Sequence, residues 1–283
     1  MASVAELLFE AAEHLRSGPH CDRNRADAEL LLMHVLERNR AWVLTHPEAI
    51  PSDQLAARFI KLIERRYRGE PVQYIIGETE FYGLPFTVTP DVLIPRPDTE
   101  HLVEKALQLA RVIEQPRIVD VGTGSGAIAV TLAHELPAAE ITAIDLSEAA
   151  LQVARGNAKR NGVGRRVRFL EGDLLAPVTG ERFDLVVSNP PYIPDTDRAL
   201  ISVEVREFEP ALALFGGEDG LCVHRRLLPA AYNALVAGGF IAIEMGFSQA
   251  EAIEELLQVS GFVDVGVTDD LQGIPRVAFA RRS

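Results

Sequence analysis

Asp184-Leu185-Val186-Val187-Ser188-Asn189-Pro190-Pro191-Tyr192 is the stretch on which the reading of this chain turns. Its valine-rich apolar run reads as a strand buried on both faces, as in a parallel sheet. Two prolines then stop it, because proline has no N–H to give a neighbouring strand. Each proline also drives the residue before it toward extended geometry, so Asn189 and Pro190 are both stiff. The corner lies at the carboxyl end of a strand, the edge at which open α/β sheets bind their ligands.

The corner suits one kind of chemical group. The Asn189 side-chain oxygen and the Pro190 carbonyl offer two acceptors, and a planar –NH2 has two hydrogens to donate. Tyr192 can lay its ring against the flat group that carries the nitrogen. Asn-Pro-Pro-Tyr therefore predicts a clamp for an amide or an exocyclic amine. Taken alone, the same four residues also read as a strand end closed by a rigid turn, with Tyr192 as packing.

Working outward, residues 117–145 supply the context. Ile118-Val119-Asp120-Val121 is a short buried strand, and Gly122-Thr123-Gly124-Ser125-Gly126 follows at once, opening a helix over 127–135. Such glycines let the backbone approach a ligand, with helix amides directed at it. Ile141-Thr142-Ala143-Ile144-Asp145 is a second strand, ending in a carboxylate about twenty residues beyond the glycines, where it can accept both hydroxyls of a ribose. A dinucleotide or S-adenosylmethionine (AdoMet) would fit. The third glycine comes one residue early for a pyrophosphate loop, and Asp120 is an awkward neighbour for phosphates. Asp120 is a natural partner for the ammonium of a methionine moiety, so the methyl donor is favoured.

The remaining strands complete an α/β pattern. Val167-Arg168-Phe169-Leu170-Glu171-Gly172-Asp173 gives a third strand with an acid just past its end; Asp173 is placed to accept from an adenine amino group and Leu174 to cover the ring. The Asp184–Ser188 run is the fourth, 238–244 the fifth, and a helix over 249–259 leads into strands at 263–268 and 276–281. The alternation implies a Rossmann-like sheet of the methyltransferase type with a carboxyl-terminal hairpin. Between Tyr192 and Gly238 a long excursion leaves from the ligand-binding edge; it either shapes the acceptor site or is a structural loop with one helix.

Upstream, residues 1–77 read as helical, with apolar residues at three and four spacing and with Pro19 and Pro51 as breaks. Such a bundle caps a domain or presents a partner. His14, His34 and His46 are isolated. Arg58, Lys61, Arg65, Arg66 and Arg68 read as a solvated helix face. Strand formers around Gly83 predict a hairpin joining two domains. Ile94-Pro95-Arg96-Pro97-Asp98-Thr99-Glu100 is a rigid turn running into a helix, with Asp98 as its cap.

At 283 residues the chain can hold a full α/β core and a smaller domain. Its net charge is −13, of which residues 1–77, with 10 basic and 11 acidic groups, contribute −1. A catalytic half this acidic favours a protein or small-molecule partner over a nucleic-acid backbone. No apolar run reaches membrane-span length and the amino terminus lacks a signal pattern. Cys21 and Cys222, far apart and without metal-ligand spacing, read as reduced thiols of a cytoplasmic protein.

With these residues in view, the chain resembles the HemK/PrmC family of protein-glutamine methyltransferases along nearly its whole length. The matching stretches are Glu80-Phe81-Tyr82-Gly83, Leu93-Ile94-Pro95-Arg96-Pro97-Asp98-Thr99-Glu100, Asp120-Val121-Gly122-Thr123-Gly124-Ser125-Gly126, Ser188-Asn189-Pro190-Pro191-Tyr192 and Phe208-Glu209-Pro210. The resemblance implies a class I AdoMet-dependent methyltransferase domain over 98–283, a hairpin linker over 78–97 and a helical substrate-docking domain over 1–77. It implies methylation of the glutamine side-chain nitrogen in the Gly-Gly-Gln motif of peptide-chain release factors. By the same resemblance Asn189, Pro190, Pro191 and Tyr192 form the acceptor pocket, with Asn189, Pro190 and Tyr192 catalytic. Asp120, Gly122 through Gly126, Asp145, Asp173, Leu174 and Asn189 would contact AdoMet, and no metal is implied. Some relatives carry an aromatic residue where this chain has Leu174. A ribosomal-protein glutamine, an adenine-amino nucleic-acid methyltransferase and a non-catalytic AdoMet-binding protein are the rival readings.

Overall fold

The computed structural model describes residues 2–283. Three of its amino-terminal helices begin at side-chain caps. α1 (Val4–Leu15) opens on a capping box, in which the Glu6 amide donates to Ser3 Oγ and the Ser3 amide donates to the Glu6 carboxylate at 2.8 Å. α2 (Asn24–Leu36) follows, then α3 (Arg40–Thr45) and α4 (Asp53–Tyr67), which are capped by Asn39 and Ser52. α5 (Val72–Ile76) ends at Gly77 in the left-handed region, as helix ends commonly do. Leu7, Leu31, Leu32, Phe59 and Ile63 from three of these helices share one core.

The hairpin pairs β1 (Glu78–Phe81) with β2 (Leu84–Thr87) across Tyr82-Gly83, both at positive φ, which is a two-residue turn of the right hand for a hairpin. The Tyr82 amide donates to Glu100 at 2.9 Å and so ties the turn to the start of α6 (Thr99–Ala110). The main sheet then develops through β3 (Arg117–Val121), α7 (Ala127–Glu135), β4 (Glu140–Asp145), α8 (Glu148–Arg160), β5 (Val167–Glu171) and β6 (Phe183–Ser188). After the excursion, which includes α9 (Val203–Phe208) and α10 (Cys222–Ala234), come β7 (Leu235–Glu244), α11 (Ala250–Val259), β8 (Phe262–Asp269) and β9 (Pro275–Arg282).

The seven strands lie in the order β5-β4-β3-β6-β7-β9-β8, with β3 to β7 parallel and β9 antiparallel to both its neighbours. The chain steps outward from β3 to β5 and then returns to place β6 on the other side of β3. The switch point between β3 and β6 leaves a crevice at the carboxyl edge. Pairing of Val121 with Ser188, and of Ser188 with Ile243, brings the ends of β3, β6 and β7 level there. Successive residues serve opposite faces of the sheet: Ile118 packs with Leu102 and Leu132, and Val119 with Leu228 and Ile253.

Two compact units result, one running to Glu78 together with Ile201–Phe208, the other comprising Thr79–Leu200 and Glu209–Ser283. The adoption of α9 by the first unit corrects the reading of the basic run on α4. Arg58, Lys61, Arg65 and Arg68 are exposed, but Arg66 is only 2% exposed. It falls seven residues after Phe59 and three after Ile63, on the inward face of the helix. There its Nε donates to Asp27 at 2.7 Å, and its Nη1 lies 3.2 Å from Glu204 of α9. A buried guanidinium is tolerable only when paired in this way.

Other boundaries shift for local reasons. Asp98 precedes α6 but has helical backbone angles and no capping bond; its carboxylate faces Arg276 at 3.1 Å instead. β7 begins at Leu235, three residues before Gly238, and α11 begins at Ala250, with Gln249 at its N-cap and that side chain bonded to the Gly246 amide and the Tyr192 carbonyl. The excursion holds two α-helices, with Pro229 inside the second, and two short 3-10 turns, rather than one helix.

Candidate active site

A cavity of about 280 Å³ opens at the switch point between β3 and β6. The loop after β3 forms its floor. Gly122 and Gly124 have φ of 75° and 53°, and a Cβ built on either meets no atom within 4 Å, so the loop is a cradle that side chains would fill. Gly126 has a different duty. At φ 81° it starts α7, and a Cβ there would lie 3.2 Å from the Ala154 Cα of α8, so its lack of a side chain permits close packing.

Asp145 ends β4 beside this loop and lines the cavity. Its Oδ2 accepts from the Gly124 amide at 2.7 Å and its Oδ1 from the Ser147 amide at 2.9 Å. Each oxygen keeps lone-pair capacity for a hydroxyl. Burial raises its carboxyl above the ordinary range, the backbone donors opposing. Asp173 and Leu174 form another wall. Arg226 of α10 donates to Asp173 Oδ2, leaving Oδ1 to a ligand. Leu174 sits at φ 51°, a conformation that costs a branched residue energy.

Asp120 is not part of the lining. It is fully buried beneath the glycine loop, where Thr123 Oγ1 donates to its Oδ2 at 2.6 Å. Burial pushes its carboxyl up to about 7, against the hydrogen bond from Thr123 and the nearby Ala129 amide. Thr123 and Ser125 stand between it and the cavity as lining residues.

The Asn-Pro-Pro corner is assembled from the segment after β6, the start of α6 and part of the excursion. Asn189, Pro190 and Pro191 line the cavity together with Pro210, Leu212 and Ala213 of the excursion. Asn189 Nδ2 donates to Thr99 Oγ1 at 3.1 Å, which turns Oδ1 away as a free-ended acceptor. Tyr192 is placed otherwise than the sequence predicts. It is outside the lining, its hydroxyl donates to Glu244 at 3.2 Å, and its carbonyl accepts from Gln249 Nε2 at 3.0 Å. Burial and the Glu244 carboxylate together hold its phenol proton on more firmly than usual. Arg96 and Glu209, from two of the motif stretches, form an ion pair at 2.6 Å beside the corner.

Sequence reasoning missed Thr99, Arg226, Glu244 and Gln249, each a partner from a distant element. Two of them left a signal: Thr99 lies in the Pro-Arg-Pro-Asp-Thr-Glu stretch, and Glu244, like Asp145, is a carboxylate ending a buried strand. No group of three His, Cys, Asp or Glu among the described residues could hold a metal ion.

The residues fit AdoMet: the cavity joins a glycine cradle, a carboxylate with spare lone pairs beside it and a second carboxylate on another wall. A family model for the PrmC N-terminal domain matches residues 6–77, and one for a small methyltransferase domain matches 99–208. A crystal structure of a methyltransferase from Pyrococcus furiosus aligns with a TM-score of 0.54 at 20% identity, covering 72% of this chain and 91% of that one. The hMettl16 catalytic domain aligns with a TM-score of 0.58 at 16% identity, covering 82% of each chain, and shares the fold. Release factor glutamine methyltransferase from Koribacter versatilis is 44% identical, covering 99% of both chains. Its counterpart from Bordetella pertussis is 47% identical, over 90% of this chain and 93% of its own. Coverage of this extent spans both units, and the chain belongs to the release factor glutamine methyltransferase family.

Proposed function

We propose that this protein transfers a methyl group from AdoMet to the side-chain amide nitrogen of the Gly-Gly-Gln glutamine in peptide-chain release factors. The observation that carries the reading is the fixed orientation of Asn189. With Nδ2 committed to Thr99, Oδ1 can only accept, and the Pro190 carbonyl beside it also only accepts. A primary amide nitrogen supplies the two hydrogens such a pair requires.

AdoMet, when bound, supplies an electrophilic methyl group on a sulfonium. The chain's own residues deal with the weakness of the nucleophile, whose lone pair is delocalised into the amide carbonyl. Acceptors on both hydrogens raise electron density on the nitrogen and fix its direction of attack. Positioning of this kind supplies up to about 7–11 kcal/mol in well-oriented systems. The stiffness of the Pro190-Pro191 corner keeps that geometry without reorganisation. The surplus proton leaves through Asn189 or solvent.

Asp145 would hold the ribose, Asp173 and Leu174 the adenine, Gly122 to Gly126 the methionine end, and Asp120 would face its ammonium from beneath the loop. Residues 1–77 would dock the folded release factor, and 78–97 would link them to the catalytic domain over 98–283. The acidic catalytic half disfavours a nucleic-acid substrate. No helix of the described residues is long and apolar enough to cross a membrane, in keeping with a cytoplasmic partner of translation.

The test is incorporation of labelled methyl into intact release factor, its glutamine-substituted form, a short Gly-Gly-Gln peptide, a ribosomal-protein panel and DNA. Label in intact factor, lost on substitution of the glutamine and absent from DNA, is the expected result. Label in DNA or in the substituted factor would overturn the reading. Equal efficiency on the peptide would remove the docking role alone.

A further inference from the structure

Glu244 is the one strongly perturbed carboxylate at this edge of the sheet to which the mechanism above gives no duty. It is 1% exposed at the end of β7. Its Oε1 accepts from the Tyr192 hydroxyl, and its Oε2 has no hydrogen-bond partner among the described residues. Thr99, 4% exposed and the acceptor for Asn189 Nδ2, has a hydroxyl that favours the charged form of this carboxylate. The charged groups facing it are Asp98 and Arg276, while the imidazole of His224 meets its backbone carbonyl at 3.3 Å and is held neutral by burial. A buried carboxylate is costly, and an apolar residue would close the strand end more cheaply.

We propose that Glu244 is a positioning residue for methyl transfer, holding Tyr192 by its hydroxyl and Asn189 by way of Thr99. The inference rests on the acceptor assigned under Proposed function. Ionised, Glu244 accepts from both hydroxyls. The Thr99 proton then points at Glu244, and the Thr99 oxygen is left to accept from Asn189 Nδ2. Hydrogen bonds in such a chain strengthen one another, so Asn189 Oδ1 becomes a better acceptor for the substrate –NH2. Protonated, Glu244 donates to a hydroxyl instead, and the chain loses its direction.

Burial pushes Glu244 up to about 7, with Thr99, Tyr192 and Arg276 favouring its charge and Asp98 opposing it. The competent ionised form therefore grows as pH rises through about 7. At saturating AdoMet and release factor, single-turnover methylation by the wild-type chain should rise over that interval. Glu244→Gln should lower this rate roughly 10- to 100-fold, by analogy with loss of an outer partner of a ligand. It should also abolish the rise with pH and leave AdoMet affinity unchanged. Thr99→Val should reproduce these effects, Thr99→Ser should largely restore the rate, and the Thr99→Val, Glu244→Gln double variant should be no slower than either single one. Carboxyl-carbon NMR of glutamate-labelled protein reads Glu244 without any turnover, and Thr99→Val should shift its titration upward. A Glu244→Gln enzyme with the wild-type rate and pH profile overturns the proposal. A wild-type chain inert toward the release factor overturns the acceptor assignment instead; the NMR titration then decides the network, and a Glu244 titration unmoved by Thr99→Val rejects it.

Discussion

Arg96 and Glu209, 113 residues apart in sequence, meet in an ion pair at 2.6 Å beside the acceptor corner. The pair joins the rigid Pro-Arg-Pro turn before α6 to the Phe-Glu-Pro turn of the excursion, and Pro95 and Pro210 from those turns both line the cavity. Arg96 retains partial solvent exposure while the Glu209 carboxylate is buried. Arg96→Ala should therefore destabilise the fold by about 2–3 kcal/mol, less than for a wholly buried pair. Glu209→Gln, which leaves no buried charge, should cost less. Denaturant unfolding of both variants checks the order; equal losses would show that the pair does not hold the turns.

Asp145→Ala should weaken AdoMet binding and leave the protein folded. The carboxylate ends β4 in the cavity wall with lone pairs to spare. Removing charge-assisted hydrogen bonds to a ligand costs about 1.5–3 kcal/mol, or about 10- to 100-fold in Kd. Calorimetry giving wild-type affinity for a folded variant would refute the assignment.

Asn189→Ala should retain AdoMet binding yet lose about 10²–10³ in single-turnover rate, as when a hydrogen-bond partner of the transition state is deleted. Asn189→Asp is the finer probe. It keeps the acceptor oxygen but loses the donor to Thr99, and it should also fall well below wild type. A near-normal rate for Asn189→Ala would exclude the clamp.

AdoMet binding should release a proton near pH 6.5. Burial holds the Asp120 carboxyl up at about 7, so it is largely protonated there in the free protein. A cationic group arriving over the loop lowers that value and expels the proton. Binding enthalpies measured in buffers of different ionisation heat should reveal the release, and Asp120→Asn should abolish it. Buffer-independent enthalpies for the wild type would separate Asp120 from the ammonium.

Glu244→Gln should be more stable than wild type at pH 8. The folded-state value of about 7 lies above the ordinary 4.5, so the contribution of Glu244 to stability is full below 4.5 and lost as pH rises through 7. The loss at pH 8 amounts to about 3 kcal/mol, and a neutral isostere escapes it. Chemical unfolding of both proteins at pH 5 and pH 8 measures the gap, which should widen with pH. A constant gap would mean that the carboxylate does not titrate in the fold.

Much of the sheet was legible because the signals that build it are local. Apolar runs rich in valine or isoleucine, closed by glycine, aspartate or proline, mark β3, β4 and β6, and the carboxyl edge follows from the handedness and order of such strands. The glycine cradle and Asp145 were legible for the same reason: each lies within a few residues of the strand that positions it. Asn189 and its prolines were likewise read from stiffness imposed by immediate neighbours.

Partnership across the fold was not legible. Its immediate neighbours place Asn189 at a strand end, whereas the bond from its amide to Thr99, ninety residues away, exists only once α6 packs beside β6. Tyr192 read as part of the acceptor pocket because an aromatic ring near a corner can face either way. The buried carboxylate of Glu244, one strand over, draws its hydroxyl out of the lining. Arg66 read as solvated because four neighbours of like charge are, yet one helical turn of phase sets it against Asp27 and a helix from the far side of the sequence. Short-range backbone sterics fix where a strand begins and ends, and a single sequence carries them. The direction of a polar side chain is set by whichever donor or acceptor packing brings within about 3 Å, and that is known only once distant elements meet.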